Sequence, residues 1–291
     1  MVRANGISVS CPTSNLGQTM HGLTSEQQRS FFETFGFLKL PGMVVDDLLE
    51  ITREFEQVFA QLGVHHDGTR RTSVVPFIDK RPGLCALLDR DDITAVVGNL
   101  IGPDFNYMGS DGNYYAGDTT WHRDGFMPSD SFIKVAFYLD RVTHDSGCLR
   151  VMPGSHTDAA LELWRDPVLR DSERVWNLHQ RDLPSYSIES EPGDVLIFSH
   201  RLLHASFGGS NVRRMFTMNL GRHAASEQEI DDLIEYGNTH FICNGFMEPY
   251  GHPMIATASH ERMVHLSQFQ MYWQASLDRH AAQNGVVQTD Y

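Results

Sequence analysis

Three H-x-D tripeptides stand in the 291-residue chain: His65-His66-Asp67, His122-Arg123-Asp124 and His156-Thr157-Asp158. An imidazole and a carboxylate two residues apart can converge on one metal ion if the chain between them is extended, because residues i and i+2 of a strand project to the same face. Fifteen histidines make the tripeptide common by chance, so the flanks must decide. His65-His66-Asp67 follows a helix end and runs into the polar stretch Thr69-Arg70-Arg71-Thr72. Asp158 precedes Ala159-Ala160-Leu161 and reads as a helix cap after the turn Pro153-Gly154-Ser155. His122 and Asp124 instead lie between two strand-like segments, Asn113 to Ala116 and Phe132 to Leu139.

A third ligand is expected from an opposing strand, and Asp194 to Ser206 offers His200 and His204. The neighbours Leu202-Leu203 and Ala205-Ser206 favour His204, although a period of two cannot separate histidines four apart. Two histidines and a carboxylate form a facial triad, with three open positions on a ferrous ion for a bidentate 2-oxo acid and O2. Zinc hydrolases use similar ligands. The discriminating feature lies downstream, where Arg213 and Arg214 open the β-like run Met215 to Leu220. A buried arginine is costly unless it holds an anion, and its planar fork matches a carboxylate. Arg213 shares its face with Thr217 and Asn219, Arg214 with Phe216 and Met218. That favours Arg213 pointing inward and keeps Arg214 as a candidate.

The elements that must position these residues follow from the pattern. Helices are expected at about Thr24 to Phe35 (capped by Thr24 or Ser25 and stopped by Gly36), Asp46 to Leu62, Asp91 to Leu100, Ser226 to Tyr236 and Ser259 to Ala282. From about Phe105 the texture changes to short runs rich in β-branched and aromatic residues. These are Phe105 to Met108, Asn113 to Ala116, Phe132 to Leu139, Cys148 to Met152, Tyr186 to Glu189, Val195 to Ser199 and Arg213 to Leu220, separated by Gly, Pro and Asp turns. Such a series predicts a β-sandwich or jelly roll. The fold class is mainly β with flanking helices: one domain over residues 1–291, with its β core at about 105–222.

Composition narrows the function classes. The net charge is −14, from 23 Lys+Arg against 37 Asp+Glu. No dense basic stripe appears, which argues against a nucleic-acid partner. No apolar run reaches the roughly 18 residues of a membrane span, and residues 1–22 lack the basic start and apolar run of a secretory signal. Cys11, Cys85, Cys148 and Cys243 are scattered without a C-x-x-C pair, as expected of thiols in a reducing cytoplasm.

The combination His122-Arg123-Asp124-Gly125, then His204-Ala205-Ser206, then Arg213, resembles the phytanoyl-CoA dioxygenase-like branch of the Fe(II)/2-oxoglutarate oxygenases. The resemblance extends to Leu23 through Gly42 and to Gly147-Cys148-Leu149-Arg150-Val151-Met152-Pro153-Gly154-Ser155-His156. It covers roughly Leu23 to Arg222; the last seventy residues carry nothing that matches. The resemblance implies a double-stranded β-helix of the cupin-like, jelly-roll type, with His122, Asp124 and His204 on Fe(II). It also implies that Arg213 or Arg214 binds the remote carboxylate of 2-oxoglutarate, helped by Ser206, and that Thr119 contacts this co-substrate. The spacing from His204 to Arg213 is slightly shorter than usual in this branch.

The implied reaction uses O2 to oxidise a C–H bond of a small molecule, with hydroxylation as the default outcome, while 2-oxoglutarate goes to succinate and CO2. Two other classes share the triad: a metal-binding β-barrel that senses or carries a ligand, and a cupin-like Zn or Mn isomerase or hydrolase. Arg70, Arg71, Lys80, Arg81 and Arg150 are the candidates for an anionic substrate group. Trp121, Phe126, Phe132, Phe137 and Tyr138 border the expected site, where large aromatics more often fill a barrel than touch substrate.

Overall fold

The computed structural model describes residues 22–124, 132–164, 166–210 and 212–284. Helix α1 (Ser25–Phe35) starts at a capping box between Thr24 and Gln27 and stops at Gly36, whose φ of 83° is left-handed. Strand β1 (Phe37–Leu40) follows, then α2 (Leu48–Gln61), β2 (Thr72–Val74) and α3 (Asp91–Ile101). Strands β3 (Asn106–Tyr115), β4 (Thr119–His122), β5 (Phe132–Tyr138), β6 (Leu149–Val151), β7 (Tyr186–Ile188), β8 (Val195–Ser199), β9 (His204–Ser206) and β10 (Arg213–Gly221) form the core. Helices α4 (Glu227–Tyr236) and α5 (His260–Asn284) close the described chain.

Two antiparallel sheets result, one ordered β1-β8-β5-β10-β3-β2 and the other β4-β9-β6-β7. Their facing sides share a core of Ala136, Tyr138, Leu149, Val151, Ile188, Leu196, Phe198 and Met215. This is the double-stranded β-helix expected from the sequence, wrapped by helices from both ends of the chain. The outer face of the six-stranded sheet packs on helices: Phe137, Phe216, Met218 and Leu220 join Phe55 and Phe59 of α2 and Leu266, Phe269 and Trp273 of α5. The described residues after Arg222, which carry no match to the family in the sequence, therefore cover one face of the barrel. Period-two alternation along β10 sends Phe216, Met218 and Leu220 to those helices and leaves Arg213, Met215 and Thr217 facing inward.

Several expectations change in detail. The two strands read at Phe105 to Met108 and Asn113 to Ala116 are one, β3, running through Gly109 and Gly112. Those glycines suggest a turn, but they serve close packing instead. A Cβ at Gly112 would lie 2.1 Å from the Phe77 ring and one at Gly109 2.6 Å from Phe241. Asp158 is not a cap: Thr157 holds the N-cap position, and Asp158, the first helical residue, pairs with Arg201. Cys85 and Cys148 are buried, Cys243 is exposed, and all three are free thiols; Cys11 lies outside the described residues. Among the described residues no helix is long and apolar enough to cross a membrane.

Candidate metal and co-substrate site

A single register places four of the expected site residues. In the β4–β9 pair His122 is opposite His204 and Thr119 is opposite Ser206, with an irregularity between the two pairs. The ladder continues past β4 through the Asp124 amide, which donates to the His200 carbonyl at 2.9 Å, and this holds the carboxylate beside the rings. His122, Asp124 and His204 present ligand atoms that all lie within 4.8 Å of one another, the one such group among the described residues.

The tautomers are fixed by the backbone. His122 Nδ1 lies 2.8 Å from the Thr120 carbonyl and His204 Nδ1 2.9 Å from the Leu202 carbonyl. A carbonyl only accepts, so both Nδ1 atoms carry a proton, and in the neutral ring this leaves Nε2 as the lone pair that can bind a metal. Those lone pairs face Asp124, His122 Nε2 at 3.8 Å from Oδ1 and His204 Nε2 at 3.6 Å from Oδ2. Two lone pairs and a carboxylate facing each other without a proton between them repel, unless a cation joins them. The backbone carbonyls are the outer partners that orient metal-binding imidazoles, so the donor set fits a divalent metal. Burial lowers the His204 pKa to about 3, which keeps the ring unprotonated. Burial pushes the Asp124 carboxyl up, but Lys134, His204, His200 and His122 together pull it well below the usual range.

The cavity beside this triad, about 170 Å³, is lined by Thr119, Tyr115, Tyr138, Ser206, Arg213 and Lys134 among others. Arg213 is 3% exposed. Its Nη1 donates to the Gly147 carbonyl at 2.5 Å and to Ser206 Oγ at 2.8 Å, and its guanidinium lies over the Tyr115 ring. Its Nε is buried with no partner, and no carboxylate among the described residues pairs with it. A buried cation left in this way calls for an anion in the cavity. Arg214 is turned to the opposite face, where Asp140 and Glu56 neutralise it. The structure thus brings Arg213 together with Ser206, Thr119 and the triad, and not Arg214.

The remaining candidates disperse. His66 Nδ1 lies 2.9 Å from Thr72 Oγ1, and Asp67 accepts from Thr69 in its own turn. His156 packs beside Gly36, with Nε2 3.2 Å from the Glu33 carbonyl. His200 is buried and outside the metal-binding group; burial lowers its pKa to about 4. Arg71 lines the cavity, whereas Arg81 pairs with Glu54, Arg150 donates to the Arg181 and His144 carbonyls, Arg70 is exposed and Lys80 does not line the cavity. Trp121, Phe132 and Phe137 are core, Tyr138 faces the cavity, and Gly125 and Phe126 lie outside the described residues.

Two charged cavity residues were not singled out from the sequence. Lys134, on the inner face of β5, forms an ion pair with Asp124, its Nζ 2.9 Å from Oδ2. Burial works against the ammonium, yet Asp124 and Asp111 raise its pKa. Asp111 accepts from Thr217 and lies 3.5 Å from Arg71. The available signal was a lysine inside the otherwise apolar run Phe132 to Leu139.

Fold and site together describe an oxygenase-type double-stranded β-helix with an iron-compatible triad and a buried arginine. A family model for phytanoyl-CoA dioxygenase (PhyH) matches residues 32–215, more than half of the chain. The chain belongs to the phytanoyl-CoA dioxygenase family, whose enzymes use Fe(II), 2-oxoglutarate and O2. A 117-residue stretch is 29% identical to a Caenorhabditis elegans protein described as a probable phytanoyl-CoA dioxygenase, covering 39% of this chain and 35% of that one. The match therefore spans about a third of that relative's length. Similar solved structures include SnoK, a non-heme alpha-ketoglutarate-dependent carbocyclase from nogalamycin biosynthesis, at 20% identity and a TM-score of 0.55 over 70% of this chain and 85% of that one. HygX from Streptomyces hygroscopicus, solved with nickel and 2-oxoglutarate, gives 19% and 0.55 over 71% and 90%. EctD from S. alaskensis, in its apoform, gives 19% and 0.54 over 69% and 77%. At these identities the similarity to solved structures is one of fold.

Proposed function

We propose that the protein is a non-haem Fe(II)/2-oxoglutarate-dependent dioxygenase that oxidises, and by default hydroxylates, a C–H bond of a small molecule. The observation that carries this reading is the pairing of two backbone-oriented Nε2 lone pairs and Asp124 with the uncompensated Arg213 in one cavity. A metal-binding carrier or a Zn or Mn isomerase has the same use for the triad but none for Arg213.

His122, Asp124 and His204 would hold Fe(II), which when bound supplies the O2-dependent oxidation coupled to decarboxylation of 2-oxoglutarate to succinate and CO2. Arg213 would hold the remote carboxylate of 2-oxoglutarate through its planar fork, and its free Nε gives it a second donor to offer. Ser206 accepts from Arg213 and itself donates to the Gly147 carbonyl at 2.9 Å, so it sets the guanidinium's plane. Thr119, across from Ser206 in the ladder, would present its hydroxyl to the same co-substrate. The buried walls, including Phe198, Leu149 and Met215, keep water from the reacting centre. The reading of the chain as one domain is supported by the core that α2 from the N-terminal part and α5 from the C-terminal part share. Free, buried Cys85 and Cys148 support a reducing compartment such as the cytoplasm.

The test is spectroscopic. Anaerobic Fe(II) and 2-oxoglutarate should give a weak visible charge-transfer band, and His122→Ala should abolish it. If neither the band nor succinate production from 2-oxoglutarate is found, the reading fails. A preparation that retains Zn or Mn and turns over without O2 would favour the isomerase or hydrolase instead.

A further inference from the structure

The charges in the cavity do not balance once the proposed metal and co-substrate are in place, and the excess has a definite sign. Arg71, Lys134 and Arg213 supply three cations, against the two carboxylates Asp111 and Asp124. A divalent metal and doubly negative 2-oxoglutarate cancel each other, so one positive charge is left over. An uncompensated charge in a mostly buried site is costly. The excess is localised at Lys134. Its ammonium rests on Asp124 at 2.9 Å, and a metal on Asp124 would draw off that negative charge and repel the ammonium as well. Asp111 also attracts the ammonium, but its charge is shared with Arg71 and its oxygens accept from Thr217 and Asn113, so it makes no direct ion pair with Lys134.

Lys134 also stands on a different side of the site from Arg213. On β10 its cross-strand neighbour is Asn219, six residues from Arg213, and its ammonium sits at Asp124 while the Arg213 guanidinium is held at Ser206. We infer that the substrate carries an anionic group, a carboxylate in the simplest case, and that Lys134 binds it, with Arg71 adding positive charge elsewhere in the cavity wall. This rests on the dioxygenase reading and names the substrate class: a small monocarboxylic acid whose oxidised carbon lies close to its carboxylate. A lysine suits this role as a point charge that does not demand a bidentate geometry.

The experiment uses the anaerobic Fe(II)·2-oxoglutarate protein at constant ionic strength, with acetate as the probe and acetamide as its neutral match. Acetate should perturb the charge-transfer band saturably and acetamide should not. Lys134→Met should weaken acetate binding by about tenfold or more, Lys134→Arg should restore most of it, and 2-oxoglutarate affinity should change little. Circular dichroism of both variants, with Arg71→Gln as a milder third, shows whether a loss reflects misfolding. The inference is overturned if acetate gives no response, if acetamide matches it, or if Lys134→Met binds acetate like the wild type. It is also overturned if Lys134→Met mainly loses 2-oxoglutarate, since the lysine would then serve the co-substrate. Failure of the wild-type band to form at all would refute the dioxygenase reading itself.

Discussion

Gly147 and Arg213 are in such close contact that a Cβ on the glycine would lie 1.6 Å from the arginine's Nη1. The same glycine has a φ of 88° and accepts a hydrogen bond from that nitrogen through its carbonyl. The turn after β5 is thus the seat of the guanidinium, and its glycine is required both by backbone conformation and by space. This explains why the Gly147-Cys148-Leu149 segment belongs with the site although none of its side chains is a ligand.

Gly147→Ala should therefore displace Arg213 and weaken 2-oxoglutarate binding by about tenfold or more, while divalent-metal affinity at His122, Asp124 and His204 is preserved. Calorimetric titration with Zn(II), then with 2-oxoglutarate on the metal-loaded protein, separates the two. Equal affinity for 2-oxoglutarate in variant and wild type would show that the guanidinium's seat is not Gly147.

The two adjacent arginines should behave oppositely. Arg213→Met removes a buried charge facing the cavity, and truncating a buried charge pair costs at least about 2 kcal/mol, or some 30-fold in 2-oxoglutarate affinity. Arg214→Met breaks partly exposed pairs with Asp140 and Glu56 and should cost roughly 1 kcal/mol of folding stability with co-substrate affinity unchanged. The reverse pattern in binding and urea-denaturation measurements would assign the co-substrate role to Arg214.

That contrast was legible in the chain before folding, because Arg214 alternates with Phe216 and Met218 and Arg213 with Thr217. His122 and His204 were legible for a similar reason, having strand-like flanks that the other H-x-D segments lack. What escaped was information carried by contacts distant in sequence. Gly109 and Gly112 resemble a turn unless Phe241 and Phe77 are known to press on them. Asp158 resembles a cap unless Arg201 is known to lie beside it. Lys134 is a single charged residue within the strand-like run Phe132 to Leu139, and only the fold shows that its ammonium ends at Asp124. The choice between His200 and His204 likewise needed the β4–β9 register, which sets His204 opposite His122.

Thiol reactivity offers a check on the packing that is independent of the metal. Burial pushes the Cys85 thiol up to about 12 and the Cys148 thiol up to about 11, so at pH 8 their thiolate fractions are about 0.0001 and 0.001. Cys243 is exposed. Among these three, iodoacetamide on the native protein should label Cys243 and leave Cys85 and Cys148 intact, and unfolding in urea should open both. Labelling of Cys148 at a rate near that of Cys243 in the native state would contradict its placement between the sheets.

The metal-free protein should lose stability on mild acidification, and His265 should account for part of the loss. Its ring lies 3.8 Å from that of Phe105, nearly parallel, and its Nδ1 donates to the Phe105 carbonyl at 2.9 Å. Burial lowers its pKa, despite the opposing pull of that carbonyl and of Asp104 and Asp89. An unfolded histidine titrates near about 6.5, above the native value, so between the two the unfolded chain binds more protons. Stability is then complete above about pH 6.5 and falls as pH drops towards and through the native pKa, by at most about 1.4 kcal/mol per pH unit for this group. His200 and His240, lowered mainly by burial as well, add to the same slope. His265→Phe keeps a ring against Phe105 and cannot take up a proton. It should cost about 1 kcal/mol at pH 8 through the lost hydrogen bond and should flatten the decline between pH 6.5 and pH 4.5 in urea-denaturation midpoints. If the variant retains the full wild-type slope, the acid sensitivity arises elsewhere and His265 is not held neutral by its burial.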